Sequence, residues 1–315
     1  MNRKAIIYGI KGYKLTRNEK LFFQKSKPWG IILFSRNIKN ILQLKILISD
    51  IKKLTKDRKF PILIDQEGGK VSRLNKIIDL STFSQSYFAS LFKKNKKLFF
   101  KTYQIYVDKV CDIFKQVGIN INITPVLDVR RKNAHSIIGS RSFSENTKDI
   151  IYLGKLCISL FNKQNIGTVV KHVPGQGLSN CDNHFKLLTI KAKKKELIKK
   201  DFKPFKECRS FFAMTCHAVY TSFDKYNTAT HSKKVINKII RGHINFRGLL
   251  ISDDISMKSL RYSLEDNARK ALYAGCNLVL HCNGKMSEMS KLAKVIPKID
   301  KFTEKKTSQF YKFLG

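Results

Sequence analysis

Gly167-Thr168-Val169-Val170-Lys171-His172-Val173 is the stretch on which the fold turns. It is rich in β-branched residues and lacks polar alternation, as expected of a strand buried on both faces. The run breaks at Pro174, and Gly175 and Gly177 admit backbone angles that other residues avoid. It therefore reads as a buried strand emptying into an irregular loop that continues to His184. On that loop Asp182 and His184 lie two residues apart, a spacing that puts both side chains on one side of a locally extended segment. A carboxylate beside an imidazole fixes its tautomer and raises its basicity, so the pair suits general acid/base work near neutral pH. Taken alone, an Asp-x-His pair is more often just a polar loop facing water.

Outward from this strand, seven further apolar runs recur along the chain: Ala5–Ile10, Gly30–Phe34, Pro61–Asp65, Asn120–Val126, Phe212–His217, Gly248–Asp253 and Asn277–Cys282. Amphipathic stretches separate them, at Ile41–Leu54, Leu98–Gln116, Lys148–Gln164, Lys193–Phe205, Lys233–Asn245 and Leu264–Ala274. Strands alternating with helical crossovers make a parallel sheet, and eight of them predict a single-domain (β/α)8 barrel over residues 1–315, with an open doubly wound sheet as the alternative. The connections Gln66–Asn95, Leu127–Asn146 and Pro174–Lys191 are long and polar. In a barrel they crowd the C-terminal rim, where active sites sit. The tail from Met286 reads as helix covering the outside of the barrel.

Composition narrows the class. In 315 residues, 43% hydrophobic content allows a full core, and 62 Lys and Arg against 23 Asp and Glu give a net charge of +39. Such charge ordinarily points to nucleic acid or an anionic membrane. Here it is mostly lysine scattered over helices and loops, with no zinc-finger spacing, RNA-stacking aromatics or basic arm, so neither partner is expected. Seven cysteines, odd in number and without a Cys-x-x-Cys pair, fit reduced thiols rather than disulfides or zinc. The N-terminal apolar run is too short for a signal-peptide core, and none approaches the ~20 residues of a membrane span. A soluble, monomeric cytoplasmic protein is expected.

Most of the runs end in groups that are costly to bury without a purpose. The third ends Ile64-Asp65-Gln66-Glu67-Gly68-Gly69, with Arg73 close behind. The fourth leads through Pro125 to Asp128 and on to Gly139-Ser140-Arg141-Ser142-Phe143. The fifth ends in Lys171 and His172, the sixth in His217, the seventh in Ser252-Asp253-Asp254. Singly, each could cap a helix, clamp a loop or sit hydrogen-bonded in the core. Jointly they mark one rim. Two chemistries suit it: a metal held by His172, His217, Asp65 and Asp253 for hydrolysis, or one carboxylate attacking a sugar carbon while another group serves as acid/base. The first run lacks a His-x-His or acidic ligand pair, and Lys171 would add a cation to a cation site, so the second fits better.

At this point the chain resembles the bacterial β-N-acetylhexosaminidases of glycoside hydrolase family 3, in particular the single-domain cytoplasmic kind associated with peptidoglycan recycling. Gly30-Ile31-Ile32-Leu33-Phe34-Ser35-Arg36-Asn37, Ile64–Arg73, Ile138–Phe143, Lys171–Gly175, Asp182–His184, Met214–His217, Ile251–Met257 and Ala274–Asn277 carry the resemblance, in the family's order and over almost the whole chain. The resemblance implies that Asp253 is the nucleophile of a retaining reaction and that Asp182 and His184 are the acid/base dyad. It implies that Asp65, Arg73, Arg141, Lys171 and His172 hold an N-acetylglucosamine ring, and that no metal or organic cofactor is needed. The implied substrates are N-acetylglucosamine-containing muropeptides. Gln176, Asn183 and Lys70 depart from the family's usual histidine, serine and arginine, and the proline that usually follows the dyad is missing from Phe185–Ile190. A non-catalytic carbohydrate-binding barrel and a metal-dependent hydrolase are the competing readings.

Overall fold

The computed structural model describes residues 1–131, 138–178 and 187–315. Its strands, in chain order, are β1 (Lys4–Gly9), β2 (Pro28–Leu33), β3 (Ile62–Ile64), β4 (Ile121–Asn122), β5 (Gly167–Val173), β6 (Leu188–Ile190), β7 (Phe212–Thr215), β8 (Ala218–Tyr220), β9 (Leu249–Asp254) and β10 (Leu278–His281). Eight of them close into a parallel barrel in the order β1-β10-β9-β7-β5-β4-β3-β2. These are the eight expected runs, and the open-sheet alternative falls. β6 and β8 form a separate two-stranded parallel sheet that the sequence reading lacks. The run expected to reach His217 ends as barrel strand at Thr215, and the chain re-enters strand at Ala218.

The barrel ladders slip at three places, between Lys4 and Ile7 where β1 meets β2, between Lys171 and Val173 where β5 meets β7, and between Leu278 and Leu280 where β10 meets β9. The last two lie where the strands turn polar. An irregularity of this kind re-aims side chains beside a site.

The helices are α1 (Arg17–Ser26), α2 (Ile41–Thr55), α3 (Gln85–Lys94), α4 (Lys96–Val117), α5 (Thr147–Lys163), α6 (Lys194–Glu196), α7 (Lys203–Glu207), α8 (Leu264–Ala274), α9 (Met286–Val295) and α10 (Lys301–Phe313). α2, α4, α5 and α8 lie where the apolar periodicity puts them. The helix expected over Lys193–Phe205 is instead α6, a wide π turn at Leu197–Asp201, and α7. Pro204 at the start of α7 has no N–H to continue the preceding ladder. Val235–His243 is likewise π-wound.

α10 does more than cover the outside. Its Phe310 packs against Phe212, with ring centroids 5.0 Å apart, and Thr307 accepts a 2.8 Å hydrogen bond from the buried Trp29 indole. Phe212 and Trp29 begin or nearly begin their strands, so the tail seals the N-terminal end of the barrel. The polar strand ends are left to open at the other. No helix among the described residues is long and apolar enough to cross a membrane.

Candidate active site

At the C-terminal rim, Asp65, Arg73, Arg141, Lys171, His172 and Asp253 line one cavity of about 170 Å3, together with Glu67 and Gln176. Drug-sized ligands need ~300 Å3 or more, so the cavity suits something about the size of one sugar ring. Each residue is aimed by its own element. Asp65 follows β3 directly, and the next residue, Gln66, is locked to β4 by reciprocal hydrogen bonds with the Asn122 side chain, at 3.1 Å each. The Gln66 side chain accepts from the Arg73 N–H at 2.8 Å, folding the loop so that Arg73 faces Asp65. Gly68 makes the turn with φ +88°; a side chain there would lie 2.1 Å from the Phe83 carbonyl. Arg141 sits on a single tight turn, Gly139–Arg141, tied down by Ser142, whose hydroxyl donates to the Asp128 carbonyl at 2.6 Å.

Glu67, to which the sequence reading gave no role, is the hub. Arg141 grips its carboxylate through two parallel bonds of 2.9 and 2.8 Å, and the Lys171 ammonium lies 2.5 Å from the same group. Lys171 also donates to Asp65 at 2.8 Å. Burial alone would raise the Glu67 carboxyl, but Arg141 and Lys171 outweigh it and hold it well below the ordinary carboxylate range. Burial would likewise lower the Lys171 pKa, and Asp65 and Glu67 reverse that. Three carboxylates (Asp65, Glu67, Asp253) thus face three cations (Arg73, Arg141, Lys171) around the cavity. A lining rich in charge but balanced in sign offers many hydrogen bonds to an uncharged, hydroxyl-rich ligand.

Asp128 is the second residue left without a role. One of its oxygens lies 2.7 Å from His172 Nδ1, and the other accepts from the Gln176 N–H at 2.8 Å. It therefore fixes the ring of His172 and the start of the loop beyond β5. On that loop a side chain at Gly177 would meet the Val129 carbonyl at 1.8 Å. The Asp182 and His184 expectations lie outside the described residues.

Asp253, the penultimate residue of β9, lies half-buried at the cavity wall. Burial pushes its carboxyl up, but His217, His172, the Asp254 N–H and Lys171 outweigh burial, so the net shift is downward and the group is ionised at neutral pH. The adjacent Asp254 is spoken for: its Oδ1 accepts from the Ser256 N–H and hydroxyl at 3.0 and 2.9 Å and from the Cys282 N–H at 3.3 Å. Of the two neighbours, Asp253 is the one free to act on a ligand.

The metal-site reading fares poorly on geometry. His217 turns Nδ1 to Thr230 and Nε2 to the Asp254 carbonyl, and His172 gives Nδ1 to Asp128. Among the described residues no three His, Cys, Asp or Glu side chains are grouped to hold a metal ion.

The chain and its fold have relatives among known proteins. The sequence profile described as the glycosyl hydrolase family 3 N terminal domain matches residues 9–309. A beta-hexosaminidase of Neisseria meningitidis serogroup C / serotype 2a is 32% identical over 291 residues, 89% of this chain and 78% of its own length. One from Psychromonas ingrahamii is 29% identical over 321 residues, 98% of this chain and 89% of that protein. The crystal structure of NagZ from Neisseria gonorrhoeae in complex with N-trifluoroacetyl-D-glucosamine matches with a TM-score of 0.86 at 27% identity, covering 100% of this chain and 90% of that one.

Proposed function

The chain belongs to glycosyl hydrolase family 3 and is a glycosidase of the bacterial β-N-acetylhexosaminidase kind, and from that premise we propose that it is a retaining exo-β-N-acetylglucosaminidase. Its substrates in this reading are peptidoglycan fragments, muropeptides carrying a terminal non-reducing N-acetylglucosamine, cleaved in the cytoplasm by a monomer during cell-wall recycling. The single observation that carries the reading is the convergence of an ionised Asp253 with Asp65, Arg141, Lys171 and His172 on one sugar-sized cavity.

The mechanism follows from what each group can do. Asp65, Arg73, Arg141, Lys171 and His172 hold the sugar hydroxyls, and the ion pairs through Glu67 keep the cations in place before substrate arrives. Asp253 attacks the anomeric carbon and forms a covalent glycosyl-enzyme. His184, oriented by Asp182, protonates the departing oxygen, then takes a proton from the water that releases the sugar. No metal or organic cofactor takes part.

A chromogenic N-acetyl-β-glucosaminide assayed with and without chelator tests the reading. Turnover that is indifferent to chelator and lost in Asp253→Ala supports it. No turnover by the folded wild type would favour a carbohydrate-binding barrel, and chelator-sensitive turnover a metal-dependent hydrolase.

A further inference from the structure

His217 is fully buried beside the site, yet no step above uses it. Its Nε2 lies 3.0 Å from the Asp254 carbonyl. A carbonyl only accepts, so Nε2 carries a hydrogen. Burial lowers the pKa of this imidazole despite the opposing pull of Asp253, so the ring is neutral at pH 7 and Nδ1 presents a lone pair. The single hydrogen of the Thr230 hydroxyl is shared between two acceptors, the Nδ1 lone pair at 2.8 Å and the Cys216 carbonyl at 3.1 Å, which leaves the Thr230 oxygen to accept from the Thr215 hydroxyl, 2.8 Å away. Thr215, Thr230 and His217 are all fully buried, so each hydrogen bond lacks competition from water.

Through His217 this hydrogen-bond chain reaches Asp254, the residue that holds Asp253. The Asp254 N–H donates to Asp253 Oδ1 at 2.8 Å, while the Asp254 carboxylate is pinned by Ser256 and Cys282. Asp254 is thus fixed through its carboxylate on one side and its carbonyl on the other, and what it presents to the cavity wall is the N–H on Asp253. Without Thr230 nothing on the Nδ1 side selects the tautomer. The ring could then carry its hydrogen on Nδ1 and turn a lone pair toward the Asp254 carbonyl.

We propose that His217 is a positioning residue for Asp253: it holds the Asp254 carbonyl through Nε2–H, so that the Asp254 N–H aims the Asp253 carboxylate, and Thr230 selects the tautomer that allows it. The inference rests on Asp253 being the nucleophile. It separates from that reading in a trapping experiment with a 5-fluoro-N-acetylglucosaminyl fluoride, whose electron-poor ring lets the covalent intermediate accumulate for mass spectrometry.

Wild type, H217L, H217Q and T230V are compared for the rate of labelling, the labelled peptide, the affinity for N-acetylglucosamine as a competing ligand, and the melting curve. H217L labels about 100-fold more slowly, the loss expected when a reacting group is misplaced by ~1 Å. Its affinity for N-acetylglucosamine stays within about threefold, because Asp65, Arg141 and Lys171 are untouched. H217Q, whose amide N–H falls near the Nε2 position, regains at least about tenfold of that loss, and T230V lies about tenfold below wild type, the scale of one hydrogen bond to a buried group. Labelling of H217L at the wild-type rate overturns the inference. So does an H217Q no faster than H217L, or a loss of ligand affinity as large as the loss of labelling. If H217L does not fold, H217Q and T230V decide: T230V labelling at the wild-type rate, or H217Q slowed about 100-fold, overturns the proposal. Label on a residue other than Asp253 in the wild type removes the nucleophile reading and this inference with it.

Discussion

Glu67→Gln removes one negative charge from the hub of the site and almost no volume. In the wild type this buried carboxylate takes two bonds from Arg141, at 2.8 and 2.9 Å, and one from Lys171 at 2.5 Å. The amide keeps one acceptor oxygen, but its NH2 must face a cation. Lys171 retains Asp65; Arg141 has no other carboxylate within ion-pairing distance among the described residues. Breaking one side of a buried pair costs about 3–5 kcal/mol, since the remaining charge stays desolvated. At about 2 °C per kcal/mol for a chain of this size, the melting temperature falls by about 6–10 °C. The sign of the pH dependence follows from the depressed Glu67 pKa. The stability from its ionised form is fully present above the ordinary glutamate value of 4.5 and is lost as pH falls from there toward the folded-state pKa. Calorimetry should therefore find the gap between wild type and variant full at pH 7 and narrowing below about pH 4.5. A variant that melts within about 1 °C of wild type at pH 7, or a gap that widens in acid, would refute the reasoning.

Arg141→Ala and Asp65→Ala should each lower kcat/KM by about 30-fold, or 2 kcal/mol, because a site built to hydrogen-bond sugar hydroxyls is left with unpaired partners; unchanged kinetics in both would make these loops structural. His184→Ala should lose most on substrates with poor leaving groups, since an activated aryl group departs without a proton, and azide should partly restore turnover of the activated substrate. Equal loss on both substrate types without azide rescue would move the acid/base role elsewhere on the rim. Asp182→Asn should show the same pattern more mildly, keeping the imidazole but losing the charge that orients it.

The barrel was legible because all eight of its strands are buried, and burial on both faces leaves an unbroken apolar run in the sequence. Ile62–Ile64 and Phe212–Thr215 are short, yet each is bounded by clear turn or polar signals. β6 and β8 leave weaker marks: three residues each, β6 at the far end of the long connection after β5 and β8 close behind β7, too short for a pattern to separate strand from loop. α1 was missed although Thr16 and Glu19 form a reciprocal cap that reads directly as a helix start. α3 lay hidden inside the long connection after β3, with Ser84 as its cap.

The site was legible in most of the charged residues that line its cavity and less so in those that hold them. Asp65, Arg73, Arg141, Lys171, His172 and Asp253 do meet in one cavity. Glu67 stood in plain view in Gln66-Glu67-Gly68-Gly69, and the available signal was charge balance: a rim carrying Arg73, Arg141 and Lys171 needs more anions than Asp65 and Asp253 supply. Asp128 and Thr230 left no such trace. Their partners, His172 and His217, lie 44 and 13 residues away, and only the closed barrel brings them together.

The most direct test of the account is the stereochemistry of the first product. Proton NMR of N-acetyl-β-glucosaminide hydrolysis, followed from the first seconds, should show the β anomer of N-acetylglucosamine appearing first and the α anomer growing in later by mutarotation, as a double displacement through Asp253 requires. If the α anomer appears first, water attacks the sugar directly, and the covalent role assigned to Asp253 is wrong.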